Sequence, residues 1–146
     1  MERVLIALAL AAVALVVAAV VQRRQRPEAL VRTGYAVPAQ LDRADFARPD
    51  APWLVAVFTS ATCNACAGVW DKAQHLESDA VVVQRVEHVA DRALHDRYGI
   101  EAVPLALVVD PTGVVRASFM GPVTATDLWA AVAEAREPGS TPDTCH

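Results

Sequence analysis

Residues 53–66, "WLVAVFTSATCNAC", join two patterns of different period. Residues 53–59 are a continuous apolar run rich in β-formers, which predicts a strand buried on both faces. Beyond it, Val69, Trp70, Ala73 and Leu76 recur at helical spacing, so a helix is expected from Cys63 to about Ser78. Cys63 and Cys66 therefore fall where a buried strand hands over to a helix. They are two of only three cysteines in the chain. Their spacing alone leaves three readings open: half of a zinc site, a structural disulfide, or a pair that cycles between dithiol and disulfide.

The flanking sequence extends the alternation. "AQL" (39–41) reads as a short edge strand, and "DRADF" (42–46) as a helical turn capped by Asp42. "AVVVQRV" (80–86) predicts a second strand, and "VADRALHDRY" (89–98) a helix stopped at Gly99. "PLALVVD" (104–110) and "GVVRASFM" (113–120) read as strands joined by the turn signal "DPTG". "TATDLWAAVAEAR" (124–136) closes with an amphipathic helix for which Thr124 or Thr126 can serve as cap. This order predicts an α/β fold: a mixed sheet, parallel strands followed by a hairpin, with helices on both faces.

The chain's 146 residues suffice for one domain. Hydrophobic residues make up 54%, and the excess is concentrated near the start, where residues 4–21 are all Ala, Val, Leu or Ile. As a helix these would span roughly 27 Å, close to a bilayer's hydrocarbon core. The run ends in "VAAVVQ", a poor cut site, and only Arg3, offset by Glu2, precedes it. Residues 1–22 are therefore expected to be an uncleaved transmembrane anchor rather than a leader. Arg23, Arg24 and Arg26 follow at once, and the positive-inside bias then directs the C-terminal part to the cytoplasm. Residues 23–38 read as a tether, 39–136 as the folded domain, and 137–146, "EPGSTPDTCH", as a disordered tail. Residues 27–146 carry 16 acidic against 9 basic residues. A basic collar beside the membrane and an acidic domain beyond it suit lipid headgroups and argue against nucleic acid as a partner.

The element order, with the cysteine pair at the strand–helix junction, resembles the thioredoxin fold. "YGIEAVP" (98–104) is similar to the stretch leading to the cis-proline of that family, "PTGVV" (111–115) to its hairpin turn, and "MGPVTATDL" (120–128) to its glycine loop and last helix. The likeness covers residues 39 to about 136, and small membrane-anchored thioredoxin-like proteins of bacteria resemble it most. It implies thiol-disulfide exchange with protein clients, a role in cell redox homeostasis, and a cis bond at Val103–Pro104. It also implies a substrate-binding rim made of Thr62, Asn64, Ala65, Val103, Pro104 and Gly121. In the family the proline also keeps metal off the cysteines.

The chemistry stands without the likeness. A thiol attacks a disulfide as thiolate. The first turn of a helix presents unpaired N–H groups and partial positive charge, which would stabilise a Cys63 thiolate. Cys66, one turn on and expected to be more buried, would resolve the mixed disulfide that Cys63 forms. No Gly-rich nucleotide loop is present, so no NADPH or flavin cofactor is expected, and electrons would pass to or from another protein or a small thiol.

Against thioredoxins, Thr62 stands for a Trp, Asn64-Ala65 for Gly-Pro, Leu105 for a Thr, and Val57 for a buried Asp six residues before the first cysteine. These changes bear on speed, potential and partner choice rather than on fold. Trp53, Trp70 and Trp129 read as core, with Trp129 facing inward, and His75, His88 and His95 as solvent-facing, none with ligand spacing to the cysteines. A zinc quartet of Cys63, Cys66, Cys145 and His146 is the reading of another class, weakened by the adjacency of Cys145 and His146. A redox-inert adaptor with this fold is a third. Cys145, in the tail, is not expected to act as a resolving thiol.

Overall fold

β1 (Trp53–Thr59) lies inside a four-stranded sheet. β2 (Val81–Glu87) pairs with it in parallel and β3 (Leu105–Val109) antiparallel on its other side. β4 (Val115–Met120) pairs antiparallel with β3, giving the order β2-β1-β3-β4. Among the described residues three α-helices accompany the sheet: α1 (Asn64–Ala73), α2 (Arg92–Tyr98) and α3 (Ala125–Arg136). This computed structural model describes residues 34–140, besides Met1. The expected anchor at residues 4–21, the basic collar, Cys145 and His146 lie outside the described residues. Among the described residues no helix is long and apolar enough to cross a membrane.

The apolar run of β1 follows from its having a core on each face. Leu54, Ala56 and Phe58 pack with Leu105, Leu107 and Val109, and Leu94 and Tyr98 of α2 rest on that cluster. Val55 and Val57 face the other way, among Ala106 and Val108, Val69 and Ala73 of α1, and Leu128 and Val132 of α3. Neighbouring side chains of a strand point to opposite faces, so a strand sandwiched between helices is apolar at successive positions, here from Leu54 to Phe58.

Several boundaries differ from the sequence reading. α1 ends at Ala73, and Gln74–Leu76 tighten into a 3-10 turn. α2 begins at Arg92, three residues late, after a turn in which the Val89 and Ala90 N–H groups donate back to the Glu87 carboxylate. The edge strand at 39–41 is a single bridge, Gln40 to Val114. The caps hold: Asp42 accepts from the Ala44 N–H, and Thr124 from the Asp127 N–H. Gly99 ends α2 with φ of 61°, as a left-handed C-cap does.

Two side chains are placed against expectation. Trp129 is 45% exposed, since Leu128 and Val132 supply the inward stripe of α3; its indole N–H instead reaches the Lys72 carbonyl at the end of α1. His95 is 2% exposed, with its ring edge-on to Phe58. Its Nε2 lies 3.1 Å from the Val86 carbonyl, which can only accept, so Nε2 carries the proton. His95 Nδ1 is then an acceptor and faces Nδ1 of His88 at 3.5 Å.

The hairpin end of the sheet is braced by Asp110. Its buried carboxylate accepts from the Thr112 N–H and hydroxyl, the Val114 N–H, and Arg116 Nε and Nη2. Burial works against its charge, but these bonds outweigh it and hold the carboxyl below its ordinary range. The buried Arg43 spans the Asp110 and Ala51 carbonyls, and Gly113 passes so close to Leu41 that a side chain there would strike the Leu41 carbonyl.

Candidate functional site

The strand register brings the candidate residues to one end of the sheet. Thr59 and Glu87, the last residues of β1 and β2, are register partners. Phe58 pairs with Leu105, so Pro104 lies one step beyond, opposite Thr59. Leu105 pairs with Met120, and the Gly121 N–H donates to the Pro104 carbonyl at 2.8 Å. The link carrying Thr62 to the cysteines leaves this same end. Five segments thus meet there: the link, the start of α1, the loop after β2, the turn before β3 and the glycine loop after β4.

Cys63 and Cys66 form a disulfide, with Cα atoms 5.4 Å apart. Cys63 is the N-cap of α1, half-buried, and its N–H donates to the Ser60 carbonyl. Cys66 is wholly buried, as expected of a resolving thiol. The first turn of α1 contains no acidic residue, so nothing on the helix offsets the positive end of its dipole. Asn64 is exposed and Ala65 half-buried, and their N–H groups have no carbonyl partner within the helix. When the disulfide opens, Cys63 is therefore the sulfur that can both reach solvent and be stabilised as thiolate.

Exposed side chains on the five segments include Ala61, Thr62, Asn64, Ala67, Val89 and Pro122, together with the ionisable His88 and Glu101. Val89 is 76% exposed. The Val103–Pro104 bond is cis, as the resemblance implies; Val103 is half-buried and Pro104 buried. Beneath α1, Val57 is fully buried among apolar side chains where thioredoxins keep a carboxylate. Arg85, the register partner of Val57, donates through Nε to the Thr59 hydroxyl at 3.1 Å and lies 6.0 Å from the Trp70 ring centre.

Sequence reasoning missed Glu87. Its Oε1 accepts from the Ala61 N–H at 3.0 Å, and its Oε2 from Val89 at 2.8 Å and Ala90 at 3.0 Å. The N–H groups of Ala90 and Val89 foremost, with those of Ala61 and His88's charge adding to them against burial, hold this carboxyl below its ordinary range. A glutamate at a strand end looks like any surface charge; only the fold brings residue 61 to it.

No family model matches the sequence, nor does any curated protein. Solved structures do. Thioredoxin f from spinach chloroplast is 19% identical with a TM-score of 0.52, over 70% of this chain and 98% of that one. The fold is thioredoxin-like. Fasciola hepatica thioredoxin is 20% identical with a TM-score of 0.50, over 57% of this chain and 81% of its own. Thioredoxin-2 of the malaria parasite gives 19% and 0.50, over 57% and 82%. At such identities the likeness speaks for the fold, and the chemistry rests on the residues of this chain.

Proposed function

We propose that this protein is a thiol-disulfide oxidoreductase, membrane-anchored through residues 4–21 and facing the cytoplasm, that exchanges disulfides with protein clients and contributes to cell redox homeostasis. The observation that carries the reading is the bonded Cys63–Cys66 pair at the N-terminus of α1, with one sulfur half-buried and the other enclosed.

In the reducing direction the Cys63 thiolate attacks a client disulfide. The Cys63–client S–S bond forms, the client S–S bond breaks, and one client thiolate leaves. Cys66, losing its proton, attacks the Cys63 sulfur; the Cys63–Cys66 bond forms and the second client thiolate leaves. Two electrons pass from the pair to the client, and a protein or small-thiol donor restores the dithiol. An extended client segment would pair its backbone beside Val103, with Thr62, Asn64, Ala65, Pro104 and Gly121 around it.

Trapping in cells tests this. Cys66→Ser should accumulate mixed disulfides through Cys63, and Cys63→Ser should exchange only at the uncatalysed level and trap few clients. Equal trapping by both variants would refute the assignment. Labelling of a C-terminal tag in intact cells reads the side of the membrane; a tag accessible from outside would refute the cytoplasmic orientation and place the exchange in an oxidising compartment.

A further inference from the structure

The loop that carries Cys63 and the loop that carries Val89 are joined through one side chain. Residues 60–63 make a tight turn of their own, with the Cys63 N–H on the Ser60 carbonyl and the Ser60 and Thr62 hydroxyls 3.1 Å apart. The Glu87 carboxylate reaches this turn at Ala61 with one oxygen. Its other oxygen holds Val89 and Ala90. The main chain fixes Glu87 itself: its N–H donates to Asp91 Oδ2, its carbonyl accepts from the Asp91 N–H, and the His88 N–H donates to the Thr59 carbonyl. The carboxylate is therefore a fixed bracket with one arm on each loop.

We propose that Glu87 is a positioning residue for client binding: it sets the spacing between Cys63 and the exposed Val89, so that a client segment can lie against Val89 while its disulfide meets Cys63. The proposal rests on the disulfide-exchange reading. The class of client it selects is a polypeptide with an apolar side chain near the reacting cysteine. A small disulfide touches Cys63 alone and has no need of the second loop. Three backbone N–H groups call for a group that only accepts, which an ionised carboxylate is and an amide is not.

Kinetics of the full-length protein on insulin and on oxidised glutathione, with dithiothreitol as electron source, separate the cases. Glu87→Ala should raise KM for insulin about tenfold, the scale of a modest misplacement of a reacting pair. The loss with oxidised glutathione should be smaller, and kcat on insulin should fall less than KM rises. Glu87→Gln preserves shape but turns an N–H donor toward one loop, so its KM should fall between wild type and Glu87→Ala. A purely structural role would lower thermal stability and leave KM per folded molecule unchanged. An unchanged insulin KM in both variants, or equal losses on the two substrates, would overturn the proposal while the exchange reading stands. Wild-type protein inert toward both substrates would overturn the exchange reading and this proposal with it.

Discussion

At one end of the sheet Asp110 gathers five donor atoms around a buried carboxylate; at the other, Glu87 spreads three donors over two loops in reach of water. The Asp110 partners all lie two to six residues away, within its own hairpin. One Glu87 partner lies 26 residues away. The first arrangement fixes a local shape whatever the rest of the chain does. The second exists only once β1 and β2 have paired. A third position sharpens the contrast. Beneath the cysteines, where a thioredoxin buries a carboxylate, this chain has Val57, packed in an apolar cluster with Arg85 as its register partner. The buried carboxylate thus sits where its own hairpin supplies the donors, at the end remote from the sulfurs.

The most severe way to break this contrast is to put a carboxylate at the wrong end. Val57→Asp buries a carboxyl in an apolar cluster at a cost of about 4 kcal/mol; burial raises its pKa, while Arg85, the register partner of Val57, favours its ionised form, so that a carboxylate is available to take up the Cys66 proton. In the wild type the proton of Cys66 has no nearby carboxylate to accept it. Release of the mixed disulfide should then accelerate as pH rises through the thiol range, and Val57→Asp should flatten that slope. Stopped-flow release rates against pH, with denaturant unfolding of both proteins, check the two halves. A release rate flat with pH in the wild type would show that Val57 leaves no proton-transfer gap.

Asp110→Asn probes the opposite end with a smaller effect. The amide oxygen can still accept from Thr112 and Val114, but the amide N–H groups meet Arg116 in place of a carboxylate oxygen. Loss of the charge-assisted pair should cost about 3 kcal/mol of stability. The sign follows from the depressed carboxyl: its folded value lies below the unfolded one, so its contribution is complete above about pH 4 and fades as pH falls through the folded value. The stability gap between wild type and Asp110→Asn should therefore narrow in acid, while the exchange rate per folded molecule stays the same. A gap that is constant from pH 7 to below 4 would mean that the charge contributes nothing.

These two ends also differ in how far the sequence could reveal them. β1, the cysteine pair, the turn signal at 110–113 and the cap at Thr124 are all local patterns, and each is where its residues pointed. Glu87 and His95 are not local. The helical spacing of α2 marks Leu94 and Tyr98 as inward, but a histidine beside them is buried here because the Val86 carbonyl and His88 satisfy its two nitrogens. Likewise residues 89–91 form a turn ahead of α2, with the Val89 and Ala90 N–H groups on the Glu87 carboxylate and the Asp91 N–H on the Glu87 carbonyl. Such facts depend on which loop ends beside which, and that is set by the register of β1 against β2.

Trp129 gives the smallest effect and the sharpest check on reading a helix face. As a core residue, its truncation to Ala would cost about 3–5 kcal/mol. It lies instead on the seam between α3 and α1, 45% exposed, with one hydrogen bond to the Lys72 carbonyl. Trp129→Ala loses that bond and part of a contact surface, so about 1 kcal/mol is expected. Trp129→Phe, which removes the indole N–H while retaining most of the ring, should recover part of it. Leu128 is fully buried, and its change to Ala should cost at least twice as much as Trp129→Ala, about 2–5 kcal/mol. Urea midpoints of the three variants rank the two neighbouring positions. If Trp129→Ala proved as damaging as Leu128→Ala, the inward stripe of α3 would have to run through Trp129, and the helix would be turned relative to the sheet.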